Sequence, residues 1–573
     1  MDGHMMTFDM EDYDSALEAL DAAKDIWAQT SVEDRISLLS QVKDNLMTVA
    51  RGWVETAARK KQLPAGSPLI GEEWTSGPYA LMSACNGLMH TLGQMDGKAF
   101  LEHLPTRELV TGQMAVKVLP HTIWDHLLLS GVKAEIWMQK GVNPSNLSKN
   151  AAVAYDVPPN ARTGKVALIL GAGNIASIAP LDVFQKLFLE NQVAILKMNP
   201  VNDYLTEYLE IALKPLIDRD ALRIVKGDGA AGAYLTTHDL VDELHITGAA
   251  ATHDAIVWGV GEEAVMNRKA GTPKNTRRFT SELGAVCPTI VVPGPWSAAD
   301  IRFQAEHLAT QKLHNSGFNC VACQVLVMPK GWDKAADLLG NLRSVMQKSQ
   351  RLAYYPGAKD RLETFTDHAQ NPDSVDRGVA PSVVINHLDD SEWFHETEVF
   401  APAMSLHELD APDAETYLRS AVEFANTSLR GTLGANILIH PRTIRKIVKR
   451  RFEEIIAELR YGTIAINAWT GLGFLMTNCP WGAFPGHTLE DVQSGIGTVH
   501  NTFMLENTER TVVSAPWRPF PRGLLSLQFT LLPRPPWFIT NRKQDKVGKL
   551  LTQFQYKPSW FKLPRIFLNA LLG

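Results

Sequence analysis

Five cysteines, Cys85, Cys287, Cys320, Cys323 and Cys479, are the side chains best suited to covalent chemistry in this chain of 573 residues. An odd number spread over so long a chain makes no disulfide framework and leaves at least one free thiol, which points to an intracellular, reducing compartment. Cys320 closes the run Asn315-Ser316-Gly317-Phe318-Asn319-Cys320, where Gly317 permits a close turn. A thiolate there could attack a carbonyl carbon and turn it into a hydride donor through a tetrahedral adduct. The alternative for any free cysteine is packing as a small hydrophobe, and Cys323, which opens the following strand, is read that way. A metal site from Cys287, Cys320 and Cys323 lacks a second C-x-x-C or a histidine, so no metal is expected.

The run Gly171-Ala172-Gly173-Asn174-Ile175-Ala176 fits G-x-G-x-x-A directly after an apolar segment. Glycines in that pattern let backbone N–H groups approach a pyrophosphate at a helix N-terminus. The companion acid at the end of the next strand is missing: that strand ends in Lys197, and no acid follows before Asp203. A dinucleotide turn and a merely tight strand–helix turn both remain open on this pattern.

The elements that must hold these residues follow from periodicity. Ser31 is a plausible N-cap for a helix with Ile36, Leu39, Val42 and Leu46 on one face. Helical spacing continues towards Met95, broken by Pro64 and Pro68. From Lys165 short β-rich runs take over at 165–170, 192–199, 222–227 and 243–248, then at 288–294, 323–329 and 463–467. With helical stretches between them, these indicate βαβ units and parallel sheets, an α/β fold.

Taken in order, GAGN with Asn174, ILKMNP with Lys197, ITG with Gly248, ELG with Glu282 and Gly284, GFNC with Cys320 and EVFAP with Glu398 and Phe400 resemble the aldehyde dehydrogenase superfamily over residues 30 to 500. The resemblance implies two parallel-sheet α/β domains, one cofactor-binding and one catalytic; residues 511–573 have no counterpart in it and are read as a C-terminal arm. It implies that Cys320 is the nucleophile, that Asn174 and the Cys320 backbone amide hold the oxyanion, and that Glu282 activates water. It places Lys197 on the adenosine ribose, Gly248 and Gly284 along the cofactor, and Glu398 with Phe400 on the nicotinamide ribose and ring. The cofactor it implies is NAD or NADP, and the assembly a homodimer or homotetramer. On this reading residues 15–280 form the cofactor domain with an N-terminal helical segment. Residues 281–478 form the catalytic domain, 479–510 a return or oligomerisation segment, and 511–573 an extension.

Three departures set this chain apart. Pro200 stands where an acid commonly follows the ribose lysine, which makes NADP admissible. Gly248-Ala249-Ala250-Ala251-Thr252-His253 lacks the hydroxyl and second glycine expected over the pyrophosphate, and His253 reads as a solvated helix histidine or an added charge. A short insertion near Pro293–Ser297 lengthens the path to Cys320.

Composition excludes other classes. Hydrophobic residues at 45% and charged residues at 21% describe an ordinary globular chain. No apolar run approaches ~18 residues, and the N-terminus is acidic, so neither a spanning helix nor a secretory signal is expected. The net charge of −6 conceals an acidic body and a basic tail: beyond Thr511 lie ten Lys and Arg, one acid (Asp545), eight prolines and three tryptophans. An acidic body argues against nucleic acid. Trp517, Phe520, Phe529, Trp537, Phe538, Trp560, Phe561 and Phe567 lie among the basic residues, and 561–573 suits a short amphipathic helix. Such a tail either meets an anionic membrane from the cytoplasmic side, making a long-chain, lipid-derived aldehyde the natural substrate, or wraps protein. The function expected is NAD(P)-dependent oxidation of an aldehyde through a thioester. The alternatives are an acyl-CoA reductase or CoA-acylating dehydrogenase, and a non-catalytic scaffold on the same fold.

Overall fold

The seven strands read from periodicity are all present, among nineteen described. The computed structural model describes residues 10–370, 372–387, 392–518 and 533–573. Ser31 caps the helix Val32–Lys60 by accepting from the Asp34 amide, and Leu39, Val42 and Leu46 are fully buried along it. The helix stops before Pro64, restarts at Ile70–Trp74, bends at Gly77-Pro78 and resumes as Ala80–Leu92.

Two large sheets follow. The first runs, in spatial order, through Gly495–Ile496, Phe279–Leu283, Glu243–Gly248, Val166–Leu170, Val193–Lys197 and Leu222–Val225. All its pairs are parallel except the antiparallel edge at Gly495–Ile496. The second has eleven described strands. Its parallel centre joins Thr508–Ser514, Thr463–Ile466, Gly434–Leu438, Pro288–Val291, Val325–Pro329 and Ala403–Leu409. Hydrophobic strands with both faces covered by helices are what parallel sheets require, and Val166, Leu168, Ile290 and Val325 are accordingly buried.

The expected boundaries shift. Strand Phe279–Leu283, which carries Glu282, completes the first sheet, so a division at 281 cuts through it. Strands Met114–Leu119 and Lys133–Met138 belong to the second sheet although they lie within 15–280. The segment 479–510 lends Gly495–Ile496 to the first sheet and carries His500 in a two-stranded ladder. The composition change at Thr511 falls inside the strand Thr508–Ser514, whose backbone pairing carries the second sheet past it.

Much of the described tail packs on the body. Trp517, Trp537, Phe538 and Phe554 are buried, whereas Trp560 and Phe561 are exposed; Phe520 and Phe529 lie outside the described residues. The insertion near 293–297 makes the socket for Trp517: Trp296 meets its ring at 4.8 Å, and Ser297 and Asp300 form a capping box on the helix Ala298–Leu313. Asp300 also accepts from Arg518 Nε at 2.8 Å.

Candidate active site

All eight residues singled out in the sequence line one cavity of about 930 Å³: Asn174, Lys197, Gly248, Glu282, Gly284, Cys320, Glu398 and Phe400. The C-terminal ends of the first sheet's strands open into it, where ligands of such sheets collect. Cys320 and Asn174 also border a second, almost wholly apolar cavity of about 40 Å³ on the other side, walled by Trp469, Phe474, Leu475 and Trp481. The thiol therefore stands where a large polar-ended cleft meets a small apolar one.

Glu282 is buried and faces the Cys320 thiol and the Trp481 indole, and its Oε1 has no hydrogen-bond partner among the described residues. Burial pushes its carboxyl up to about 8, with the charge of Asp182 adding to the effect. Burial and the neighbouring Glu282 push the Cys320 thiol well above its ordinary value. Both groups are protonated at rest near neutrality, and a thiolate forms only as its proton leaves. Glu398 is likewise driven up to about 8 by burial and by Glu282.

The turn before Cys320 is unusual. Asn315 (φ 52°), Ser316 (φ 57°) and Gly317 (φ 85°) are consecutive left-handed residues. For residues with a Cβ this conformation costs roughly 1–2 kcal/mol each. Only glycine fits at 317, since a Cβ would press on the Ala401 and Lys312 carbonyl oxygens at 2.9 and 3.1 Å. Asn174 Nδ2 donates to Phe318 O at 3.0 Å, which ties the GAGN turn to this loop and leaves its second amide hydrogen without a partner among the described residues.

The cofactor end fits a dinucleotide. A Cβ on Gly284 would fall inside the Glu398 carboxylate, and one on Gly173 would meet Asn199 Oδ1 at 2.7 Å and Tyr355 Oη at 2.8 Å. The helix Ala250–Trp258 begins at the cavity, which Gly248, Ala249 and Thr252 line, and it has no side-chain cap. Phe400, at φ 44°, is held between Phe318 and Tyr355, and Arg361 Nε donates to its carbonyl at 3.1 Å.

His253 is a correction. It is fully buried, stacked on Phe279 with ring centroids 4.7 Å apart, and burial lowers its pKa, so it is neither solvated nor a charge toward phosphate. Phe279 enters the sheet beside Leu244, a pairing invisible in the local sequence.

Sequence reasoning missed Asp228. It lines the cavity beside Lys197, whose amine is lowered by burial while Asp228 opposes the shift. Its Oδ1 caps the helix Gly229–Thr237 by accepting from Ala230 and Ala231. An acid absent at Pro200 thus stands nearby in the loop that follows the neighbouring strand, and the D-G pair after LRIVKG was its only local signal. Tyr355 and Arg361 were missed as well.

Residues 193–350 match the family model described as the aldehyde dehydrogenase family. No curated protein sequence matches the chain. Among solved structures, it is similar to an NADP-dependent glyceraldehyde-3-phosphate dehydrogenase from Bacillus halodurans in complex with NADP (17% identity, 88% of this chain and 91% of that one, TM-score 0.58). It is similar to an aldehyde dehydrogenase C variant from Pseudomonas syringae in complex with NAD+ and octanal (15%, 89% and 90%, 0.57). An NAD-dependent aldehyde dehydrogenase from Sinorhizobium meliloti gives comparable figures (17%, 88% and 86%, 0.56). At such identities the likeness is one of fold.

Proposed function

We propose that this chain is a member of the aldehyde dehydrogenase superfamily, whose family model matches residues 193–350, and that it oxidises an aldehyde to a carboxylic acid with a nicotinamide cofactor and with Cys320 as nucleophile. The observation that carries this reading is the position of Cys320 where the two cavities meet, with Glu282 facing its thiol and Asn174 beside it. An aldehyde entering from the apolar side meets Cys320 Sγ. Glu282, as its carboxylate, accepts the thiol proton while the C–S bond forms. The free Asn174 amide hydrogen and the Cys320 backbone N–H hold the oxyanion.

Lys197, Gly248, Gly284, Glu398 and Phe400 would hold the cofactor, which when bound supplies hydride acceptance, the chemistry that converts a thiohemiacetal into a thioester. Glu282 gives up the thiol proton to solvent, takes a proton from water as the water oxygen attacks the acyl carbon, and passes that proton to the sulfur. The C–S bond breaks, the acid leaves and Cys320 is regenerated. A buried carboxyl facing the thiol favours water over coenzyme A as acyl acceptor, because a thiol acceptor needs no such base. The deciding assay follows cofactor reduction with short and long aldehydes, with and without coenzyme A. Turnover that required coenzyme A would replace this reading with the acylating one.

Asp228 beside Lys197 supports NAD as the cofactor, since a carboxylate accepts from a ribose hydroxyl and repels a 2′-phosphate. Asp228→Ser keeps a helix cap. It is expected to move the NAD:NADP ratio of kcat/KM toward NADP by about tenfold. An unchanged ratio would remove Asp228 from cofactor choice.

A second reading concerns the chain's end. No described helix is long and apolar enough to cross a membrane. Around the helix Leu563–Leu571, however, Trp560, Phe561, Leu568, Leu571 and Leu572 are exposed, Phe561 at 95%, beside the exposed Lys557 and Arg565. Apolar rings flanked by cations suit an anionic lipid surface, where each basic residue contributes about 1 kcal/mol. Co-sedimentation with phosphatidylserine vesicles is expected, with at least a fivefold loss (~1 kcal/mol) in Phe561→Ser. Equal sedimentation of both proteins would exclude this surface.

A further inference from the structure

Behind the catalytic turn lies a group of charges that the mechanism above does not use. Lys61, Glu72, Glu73 and Arg351 are each at most 1% exposed. Lys61 Nζ pairs with Glu73 Oε2 at 3.0 Å, Arg351 Nη1 with Glu72 Oε2 at 3.0 Å, and Arg351 Nη2 with Glu73 Oε1 at 3.4 Å. Two acids and two bases so deeply buried are costly to assemble and gain little net stability over an apolar core. Their contacts give them another role.

All of them lead to two backbone oxygens beside the nucleophile. The carbonyl of Asn174 accepts from Lys61 Nζ at 3.0 Å, Asn315 Nδ2 at 3.2 Å and Tyr354 Oη at 3.2 Å. Asn315 Nδ2 also donates to Phe318 O at 3.0 Å, the oxygen that accepts from Asn174 Nδ2. Asn315 is itself held on every side: its N–H donates to Glu72 Oε2 at 3.0 Å, its Oδ1 accepts from Arg351 Nη2 at 3.0 Å, and the one Tyr354 hydroxyl proton is shared between that Oδ1, at 3.0 Å, and the Asn174 carbonyl. The left-handed turn 315–317 and the GAGN turn are thus clamped together by one network.

The C-terminal segment grips the two elements that carry this network. Glu72 and Glu73 sit in the short helix Ile70–Trp74, on which the helix Gln544–Tyr556 lies so closely that a Cβ on Gly71 would enter the Gln544 backbone. A Cβ on Gly548 would come within 2.8 Å of Trp74 Cβ, and Trp74 Nε1 donates to Asp545 Oδ1 at 3.1 Å. The helix Ala298–Leu313, which runs straight into Asn315, is held by Gln304 Nε2 to Trp517 O at 2.7 Å and by Arg534 Nε to Glu306 at 2.5 Å.

We propose that Lys61, Glu72, Glu73, Arg351, Asn315 and Tyr354 are positioning residues that set the Asn174 amide and the Cys320 turn for oxyanion binding, and that the C-terminal helix braces them from outside. The proposal rests on the aldehyde-oxidising reading and names residues that act through Asn174 and the turn rather than on the substrate. Misplacement of a donor by about 1 Å can cost ~10² in rate without any change in binding.

The test uses the full chain with a short aldehyde and NAD. Tyr354→Phe removes one hydroxyl from the network and leaves a ring of the same shape against Phe318 and Tyr355, so it should fold. Its kcat is expected to fall about tenfold with both KM values within twofold. The rate of Cys320 alkylation by iodoacetamide, a reaction that forms no oxyanion, should not change. Glu73→Gln should show the same signature at about a hundredfold, and Gly548→Leu, acting only through the brace, a smaller fall of the same kind. Wild-type kcat in Tyr354→Phe, or a fall in kcat matched by an equal fall in alkylation, overturns the proposal. Absence of aldehyde turnover in the wild-type protein would instead fail the underlying reading, and the two failures are told apart by the wild-type control.

Discussion

Cys320→Ala is expected to lower kcat by ~10⁴ or more, the largest effect of any single substitution in this chain, because covalent capture of the carbonyl has no substitute in the site. Cofactor affinity should be nearly unchanged, since Lys197, Gly284 and Glu398 are untouched and the large cavity keeps its shape. Stability should also change little: the thiol is only partly buried, and alanine removes a single sulfur from a small cluster with Ala285, Val321 and Trp481. Two measurements check this: steady-state cofactor reduction, and mass spectrometry of protein mixed with aldehyde and NAD at acidic pH. The wild-type protein should carry an acyl adduct on the peptide containing Cys320, and the variant none. Retained turnover in the alanine variant would exclude Cys320 as nucleophile. The neighbouring Cys323 and Cys287 offer no replacement, because both are fully buried, with thiols pushed up by burial.

Glu282→Gln is the second large effect, at ~10²–10⁴ in kcat. Because its place is in releasing the acid, the variant should still reduce about one cofactor per site in the first turnover and then stall on the thioester, provided Cys320 is ionised by raising the pH. The pH dependence has a definite sign. A carboxyl held at about 8 is mostly protonated at pH 7, and only its anion can accept a proton, so wild-type kcat should climb as pH rises through 8. The glutamine variant should lose that limb.

Stability runs the other way. The folded-state values of Glu282 and Glu398, about 8, lie above those of an unfolded glutamate. Between those values the folded protein binds more protons than the unfolded chain, so their contribution is fully present at acidic pH and is lost as pH rises toward 8. Glu282→Gln should therefore show a smaller drop in Tm between pH 5 and pH 8 than the wild-type protein. A Tm profile parallel to the wild type, with the kinetic limb intact, would mean that Glu282 is not the titrating base.

These expectations give the C-terminal segment two separable parts. Residues around 533–556 pack against the body through Phe538, Phe554 and Gly548, next to the elements that carry Glu72, Glu73 and Asn315. Residues 557–573 keep one side on Trp124 and Leu128 and expose the other. A wrapped arm and a lipid-facing end are therefore compatible in one tail, and substitutions can address them independently: Gly548→Leu for the first, Phe561→Ser for the second.

What the sequence determined by itself is local. Runs such as VALIL and VAILK become buried parallel strands because β-branched and leucine side chains on both faces leave few other options. Ser31 caps its helix because its hydroxyl reaches the amide three residues on. The eight site residues are legible because each belongs to a short motif whose order along the chain is itself informative, and their meeting in one cavity follows from the strands that end beside them.

What only the tertiary structure decided is non-local. Asp228 comes to Lys197 because two parallel strands end side by side, not because anything near Pro200 calls for an acid. Glu72 reaches Asn315 across 243 residues of chain, and Trp74 reaches Asp545 across 471. His253 is buried because Phe279 happens to lie under it. The tail's aromatics divide into buried and exposed according to the sockets the body provides. Such pairings are selected by the burial of surfaces assembled from distant segments, and a periodicity of two or 3.6 residues records which face of an element is apolar but not which surface will cover it.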